Sequence, residues 1–273
     1  MTAVEQLFDV RDARVVVTGA GSGLGLAMAE VMADAGARVT LADLDADSLE
    51  RETARLADGG GQVRSFQLDV SDRDQVQGLI DDVVAAHGGI DVLYANAGIS
   101  LEPGFTDPKG GIAAISSEAW NRVVGVNLNG VVFSMGAAAE VMKEQGAGKI
   151  VVTASNAGLK VEPLVGYSYA ATKAAVIHVV RQAAVELAPH GVNVNAIAPG
   201  PFRTRIGGGK LPDPKVEKIW ADLIPLGRMA ETDELKGLVL LLGSPAASFI
   251  TGAVVLIDGA ATPSSFRDEI SLG

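Results

Sequence analysis

Cysteine is absent from all 273 residues. No disulfide framework and no thiolate metal site can form, which fits a reducing, cytoplasmic setting. Histidine is scarce too. His87, His178 and His190 are widely separated, unlike the closely spaced ligands of a zinc site, so each is expected on a helix or helix end and no metal is expected. Positive charge is in deficit: 22 lysines and arginines face 33 aspartates and glutamates, for a formal net charge of −11. No basic cluster interrupts that surplus, which argues against a nucleic-acid partner. No apolar run reaches the roughly 18 residues of a membrane span. The N-terminal MTAVEQLFDVRD carries acids where a signal peptide has an apolar core. A soluble protein without a membrane partner is expected. What is present is globular: 48% hydrophobic and 20% charged residues, with length enough for a large core.

Apolar runs alternate between two patterns along the chain. Arg14–Thr18 (RVVVT) is a β-branched run, the mark of a strand buried on both faces. Thr18-Gly19-Ala20-Gly21-Ser22-Gly23-Leu24-Gly25 follows, then an alanine-rich helix over Leu26–Ala35. Glycines there let backbone approach a pyrophosphate, and the helix behind them offers free N–H groups to the anion. The spacing Gly19-x-x-x-Gly23-x-Gly25 departs from strict G-x-G-x-x-G, and a plain tight turn would use glycine too. Ala37–Asp43 reads as the second strand. Asp43 lies 18 residues past Gly25, near the separation expected of a carboxylate that takes the adenosine ribose hydroxyls. A carboxylate at that point repels a 2′-phosphate, and Leu44 rather than arginine follows, which favours NAD over NADP. The alternative is a helix cap, a role open also to Asp45 and Asp47.

A helix over Asp47–Ala57 leads to a third strand, Gln62–Leu68, closed by Asp69-Val70, where an aspartate can meet the adenine edge. Asp72–His87 carries a helical stripe of Val76, Leu79, Ile80, Val83 and Val84. The fourth strand, Ile90–Ala95, runs into the polar turn Asn96-Ala97-Gly98. Ser100–Ser117 reads as loop, Glu118–Gln145 as one long helix, Lys149–Ala154 as the fifth strand and Tyr167–Pro189 as a helix. Within the long helix, Asn127 sits between Gly125 and Gly130. Its buried amide needs partners, either a neighbouring backbone group or a water near Lys173. The sixth strand, Gly191–Ile197, ends in Pro199-Gly200-Pro201-Phe202-Arg203-Thr204, a turn able to frame a nicotinamide. Glycines 207–209 and prolines 212, 214 and 225 mark a substrate lid around 202–228 with a short helix inside it. A helix over Glu231–Leu242 and a last strand over Ala253–Ile257 follow. No linker or repeat interrupts the alternation. The expectation is α/β: a single doubly wound Rossmann domain over residues 1–273, with a seven-stranded, mostly parallel sheet and helices on both faces.

The chemistry is expected in SNAGLKVEPLVGYSYAATK, residues Ser155–Lys173. Tyr169 and Lys173 are one helical turn apart on one face. An ammonium so placed favours the phenolate, so the tyrosine pKa is expected to fall from near 10 toward neutrality. A phenol tuned that way can give or take a proton at working pH. Ser155, at the end of the fifth strand, can bond the same substrate oxygen. Leu159, Val161, Leu164, Phe202 and Ile206 are expected at the pocket and suggest an apolar or alicyclic substrate body. Arg203 and Arg205 offer either a site for an acidic group or solvated lid charges.

Thr18–Gly25, Asp69-Val70, Asn96-Ala97-Gly98, Asn127, Ser155, Tyr169-x-x-x-Lys173, Pro199-Gly200 and Ile250-Thr251-Gly252 with Asp258-Gly259 occur in this order. Together they resemble the short-chain dehydrogenase/reductase family. The resemblance implies Tyr169 as acid/base and Lys173 as the group that lowers its pKa and bonds the nicotinamide ribose. It implies that Ser155 orients the substrate oxygen and Asn127 holds a proton-relay water. NAD contacts are implied for Gly19, Ser22, Gly23, Leu24, Gly25, Asp43, Asp69, Val70, Asn96, Ala97, Gly98, Pro199, Gly200 and the backbone at Phe202 and Thr204. The implied reaction is reversible hydride transfer between a secondary alcohol and its ketone, in a homotetramer. An NADP-dependent carbonyl reductase and a non-catalytic NAD-binding regulatory protein stand as alternatives. Ser155 and Tyr169 are 14 apart, one more than is commonest in the family, so Asn156 competes for the serine's place. Ser155-x-x-Gly158 keeps the family's local pattern. Tyr167 competes with Tyr169, but Ala171, not lysine, lies four residues beyond it.

Overall fold

A computed structural model describes residues 1–204 and 213–262. Arg205, Ile206, Gly207–Gly209 and Pro212 of the expected lid, and the tail from Pro263, lie outside the described residues. The strands are β1 (Arg14–Thr18), β2 (Arg38–Asp43), β3 (Gln62–Gln67), β4 (Val92–Ala95), β5 (Gly148–Thr153), β6 (Val192–Pro199) and β7 (Val254–Ile257). They form one sheet in the order β3-β2-β1-β4-β5-β6-β7. Every pairing is parallel. The chain builds outward from β1 to β3, then starts again at β4 on the other side of β1. That reversal opens a crevice at the carboxyl ends of β1 and β4, where ligands bind in open parallel sheets.

The helices are α1 (Ala3–Leu7), α2 (Gly23–Asp34), α3 (Ala46–Asp58), α4 (Arg73–His87), α5 (Ser117–Val124), α6 (Val131–Gln145), α7 (Tyr167–Leu187), α8 (Pro214–Leu223) and α9 (Lys236–Gly243). Alternate residues of the central strands feed two cores, which is why runs such as Val15-Val16-Val17 are apolar throughout. Val15, Val17, Val39 and Leu41 meet Met28 and Met32 of α2 and Val239 and Leu242 of α9. Val16, Leu93 and Ile150 meet Leu79 and Val83 of α4, Met142 of α6 and Val176 and Val180 of α7. Local chemistry sets the helix ends. Asp45 and Asp72 accept first-turn N–H groups at the starts of α3 and α4. Gly88 and Gly146, in the left-handed region at φ +77° and +69°, stop α4 and α6.

One expectation is refined. The helix expected over Glu118–Gln145 is continuous, but residues Gly125–Gly130 take a π register between α5 and α6. A Cβ on Gly130 would come 2.8 Å from Val70 Cγ2, and one on Gly125 would touch Ser71. The two glycines let the helix press against the loop after β3, and the wider turn absorbs the contact. The 29 residues from Ser117 to Gln145 are long and apolar enough by composition to cross a membrane. In the fold, α6 supplies Met135, Ala138 and Met142 to the sheet's core. The N-terminal segment, expected only to be no signal peptide, forms α1 with a Thr2–Glu5 capping box. His87 ends α4, His178 lies on α7 and His190 sits in the turn after it. Among the described residues no group of three or more His, Asp or Glu is gathered as a metal site.

Candidate active site

Beyond Thr18 the chain turns at Gly19 and Gly23, both in the left-handed region at φ +67° and +57°. A Cβ on Gly19 would come 2.8 Å from Ala97 Cα, and one on Gly25 would collide with the Gly19 carbonyl oxygen. The glycines therefore let α2 begin hard against the exit of β4. Ser22 precedes α2 without capping it through its side chain, and the first turn holds no acid. Uncapped N–H groups and roughly half a positive charge from the helix dipole thus face the crevice. Thr204 stands over this turn, its Cβ 3.6 Å from the place a Gly23 Cβ would take.

Asp43 does not cap α3; Asp45 does that, accepting from Ser48 N at 3.3 Å. Asp43 instead takes the Gly21 N–H at 2.8 Å and the Asp45 N–H at 3.1 Å, which fixes its carboxylate beside the glycine turn. Asp69 accepts from Ser71 N and Oγ at 2.9 and 2.7 Å. Val70 is buried next to it. Asn96 ties three strand ends together: its Nδ2 donates to the carbonyls of Thr18 and Gly19, and its Oδ1 accepts from Thr153 Oγ1 at 3.0 Å. An uncapped helix start, a cradle that admits only glycine and a carboxylate at the end of β2 fit the pyrophosphate and ribose of a dinucleotide.

The second cluster lies at the same edge. Ser155 lies two residues beyond β5 and caps a short turn over Asn156–Gly158, its Oγ accepting from Ala157 N at 3.2 Å. Gly158 lets that turn pack on α7, since a Cβ there would come 2.6 Å from the Lys173 carbonyl carbon. The Ser155 hydroxyl lies near enough to the Tyr169 phenol to favour its ionised form. Lys173 is buried; its Nζ donates to the Thr153 carbonyl at 2.6 Å and lies 5.7 Å from the centre of the Tyr169 ring. Burial lowers the Lys173 pKa to about 8, which leaves it charged at neutral pH. Tyr169 departs from the expectation. Burial pushes the half-buried phenol above its usual value, and Ser155 only partly offsets that. The ammonium is in place, but its hydrogen bond goes to Thr153 rather than to the phenol.

Asn127 bonds a backbone group, that of Ile99. It is fully buried in the π turn; its Oδ1 accepts from Ile99 N at 2.8 Å, and its Nδ2 donates to Ile99 O at 2.9 Å and faces Thr172 Oγ1 at 3.5 Å. Its Oδ1 and the Lys173 Nζ each lie 3.5 Å from the place a Gly98 Cβ would take, so the two side chains are neighbours at the crevice. Asn156 is buried with its Nδ2 unpartnered. Tyr167 points elsewhere and meets Phe105 ring to ring at 6.3 Å.

At the exit of β6, Gly200 permits close approach to Asp258, whose Cβ would lie 2.6 Å from a Cβ at that position, and Pro199 closes the strand. Phe202, expected at the pocket, is buried in the core between the sheet and α9. Its backbone bridges to Ala230. Arg203 is a surface charge held in ion pairs with Glu217 of α8 and with Glu231. Leu159 and Val161 are exposed. Two threonines went unnoticed in the sequence. Thr18 Oγ1 accepts from Asn96 N and Ala97 N, and the Thr153 carbonyl anchors Lys173. A polar residue closing each β-branched run was the available signal.

A parallel sheet of this order, with a glycine cradle at the carboxyl edge and a serine, a tyrosine and a lysine gathered beside it, is the architecture of a dinucleotide-binding fold. Residues 19–262 match a family model described as enoyl-(acyl carrier protein) reductase. The chain is 38% identical to cis-4-hydroxycyclohexanecarboxylate dehydrogenase of Sinomonas cyclohexanicum over 90% of its own length and 95% of the relative's. It is 35% identical to L-rhamnose 1-dehydrogenase (NAD(P)(+)) of Azotobacter vinelandii, over 91% and 96%. A short-chain type dehydrogenase/reductase from Mycobacterium marinum superposes with a TM-score of 0.88 at 37% identity, over 95% and 99% of the two chains. The chain belongs to the short-chain dehydrogenase/reductase family. It is an oxidoreductase of the kind that transfers hydride at a CH–OH carbon.

Proposed function

We propose that this protein oxidises a secondary alcohol to its ketone, reversibly, with NAD, and that Tyr169, Ser155, Lys173 and Asn127 form its catalytic set. The observation that carries the reading is the meeting of Ser155, Tyr169 and Lys173 at the carboxyl edge of β5, beside Gly98 and the glycine cradle. NAD, when bound, supplies the hydride acceptor. The residues that would hold it are Gly19, Ser22, Gly23, Leu24 and Gly25 for the phosphates, and Asp43 for the adenosine ribose. Asp69 and Val70 would take the adenine, and Asn96, Ala97, Gly98, Pro199, Gly200 and the backbone at Phe202 and Thr204 the nicotinamide half.

Tyr169, as phenolate, takes the hydroxyl proton of the alcohol while the carbinol C–H bond breaks. In the reverse direction the phenol returns that proton to the ketone oxygen. Ser155 Oγ donates to the same oxygen and keeps it in line. The Lys173 charge favours the phenolate against the penalty of burial. The side-chain amide of Asn127 is engaged with Ile99, so a relay water would be held by main-chain groups, where the π register rearranges the carbonyls. The chain acts as one domain with its lid around 202–228, α8 being tied down by the Arg203–Glu217 pair. The homotetramer and the cytoplasmic setting remain part of this reading. Leu256 on edge strand β7 and Phe249 just before it are exposed apolar side chains suited to a subunit contact, and the lack of cysteine suits a reducing compartment.

NADP is the second reading, since the Azotobacter relative is named for both cofactors. A non-catalytic NAD sensor would have no need of the whole cluster. A panel of cis-4-hydroxycyclohexanecarboxylate, cyclohexanol, L-rhamnose and sorbitol, each assayed for reduced cofactor at 340 nm with NAD and with NADP, separates these readings. Turnover with a higher kcat/KM for NAD is expected. Asp43→Ala should narrow that preference about tenfold, the worth of ~1.4 kcal/mol of charge repulsion at contact range. A wild-type preference for NADP would overturn the cofactor assignment. Tight NAD binding with no turnover on any alcohol would favour the sensor.

A further inference from the structure

The first turn of α7 carries Tyr169; within the helix, Thr172 Oγ1 donates to the carbonyls of Ser168 and Tyr169, but no side chain of the segment caps the helix start. Gly166 precedes the helix with no side chain to cap it, and the first turn holds no acid. The missing support arrives from the loop between β4 and α5. Glu102 accepts a hydrogen bond from Ser168 Oγ at 2.8 Å through Oε2, and one from Ser116 N at 3.4 Å through Oε1. Ser168 is buried at 1% exposure and immediately precedes Tyr169. Ser116 is the N-cap of α5, the helix that leads into Asn127. Backbone packs as closely: Pro103 pairs with Val165 across an antiparallel bridge, Thr106 Oγ1 donates to Pro163 O at 3.3 Å, and a Gly166 Cβ would come 2.9 Å from Glu102 Cβ. Three residues back along the same stretch, the Ile99 backbone holds the Asn127 amide. One short segment, 99–102, thus grips both helices of the proton-transfer centre.

We propose that Glu102 is a positioning residue for the reaction, holding the first turn of α7 through Ser168 so that the Tyr169 hydroxyl is presented beside Ser155. A carboxylate suits the task. It accepts two hydrogen bonds at once from different segments, and its charge faces the positive end of a 21-residue helix. The role is distinct from catalysis, since Glu102 acts on the reacting atoms only through Ser168 and the helix turn. The inference rests on Tyr169 being the acid/base.

The test is steady-state NADH formation, with whichever alcohol of the panel above turns over fastest, alongside melting temperature and NADH affinity by fluorescence. Glu102→Ala should lower kcat by about 10- to 100-fold, the scale on which small misplacements act. KM and NADH affinity should stay within about twofold, the signature of an interaction that matters at the transition state. Glu102→Gln keeps an acceptor for Ser168 and should restore most of kcat. Ser168→Ala removes one oxygen and leaves the loop its backbone contacts, so it decides the matter if Glu102→Ala does not fold; it too should lower kcat at least about fivefold with KM unchanged. A kcat within about twofold of wild type in Ser168→Ala, or a Glu102→Ala loss seen only as lowered melting temperature and NADH affinity, would overturn the proposal. Tyr169→Phe run in parallel separates the two levels. If it is inactive while Glu102→Ala and Ser168→Ala are unimpaired, only the positioning role fails; if it is active, the reading of Tyr169 fails first.

Discussion

Tyr169→Phe should lose about 10²–10⁴-fold in kcat, the usual worth of a positioned acid/base, while binding NADH as tightly as the wild type. The substitution removes one oxygen and leaves a ring whose packing is otherwise unchanged. No backbone group or packed side chain depends on that hydroxyl for a hydrogen bond among those the structure shows, so the loss should fall on the chemical step and not on folding. NADH affinity should hold because the glycine cradle is built without Tyr169: Gly19 packs on Ala97, Gly23 on Thr204 and Gly25 on the Gly19 carbonyl and Asn96. Turnover within tenfold of wild type would show that another group moves the proton. Equal loss of turnover and NADH binding would show instead that Tyr169 is structural.

Gly25→Ala should have a comparably large effect by a different route. The new Cβ would collide with the Gly19 carbonyl oxygen and crowd the Asn96 amide. Backbone cannot rotate away as a side chain can, so α2 must shift from β4. Overpacking of this kind costs about 1–3 kcal/mol and sometimes more. At the upper end that lowers the melting temperature of a domain this size by roughly 6–12 °C. NADH affinity should fall with it, because the displaced atoms are those that shape the anion site. Gly78→Ala is the control. Gly78 lies within α4 with nothing within 4 Å of its added methyl, so alanine should stabilise by about 0.5–1 kcal/mol. A Gly25→Ala protein that melts and binds NADH like the wild type would remove the cradle from the account.

The fold was legible because each central strand is a β-branched run and each helix between them has its own cap or stop. Val15–Val17 show their structural role in residue type alone, while the cap of α3 stayed open among Asp43, Asp45 and Asp47 until the structure placed it at Asp45. What escaped was what depends on contacts between distant segments. Nothing local distinguishes the π register at Gly125–Gly130 from an ordinary helix; its neighbours, Val70 against Gly130 and Ser71 near Gly125, come from another loop. Phe202 reads as pocket wall because it follows Pro201 in a polar turn, yet the turn directs it inward to α9. Arg203 reads as free charge because its partners are 14 and 28 residues away. Glu102 sits in what the sequence shows only as a glycine- and proline-bearing loop. The spacing of Tyr169 and Lys173 was legible, but the direction of the phenol's pKa was not, because spacing reveals a neighbour's charge and says nothing of burial.

That last point leaves the central claim open to one direct measurement: the pH dependence of kcat/KM for alcohol oxidation, compared between wild type and Lys173→Met. The phenolate is the form that takes the proton, so oxidation rises with pH through the pKa of Tyr169 in the free enzyme. Burial raises that pKa and Ser155 offsets part of the rise; in this account a positive charge on Lys173, 5.7 Å from the ring centre, opposes it further. Removing the charge should therefore move the rising limb to higher pH and lower the rate at neutrality. The account predicts that displacement in Lys173→Met; a rising limb at the same pH in both proteins would contradict it.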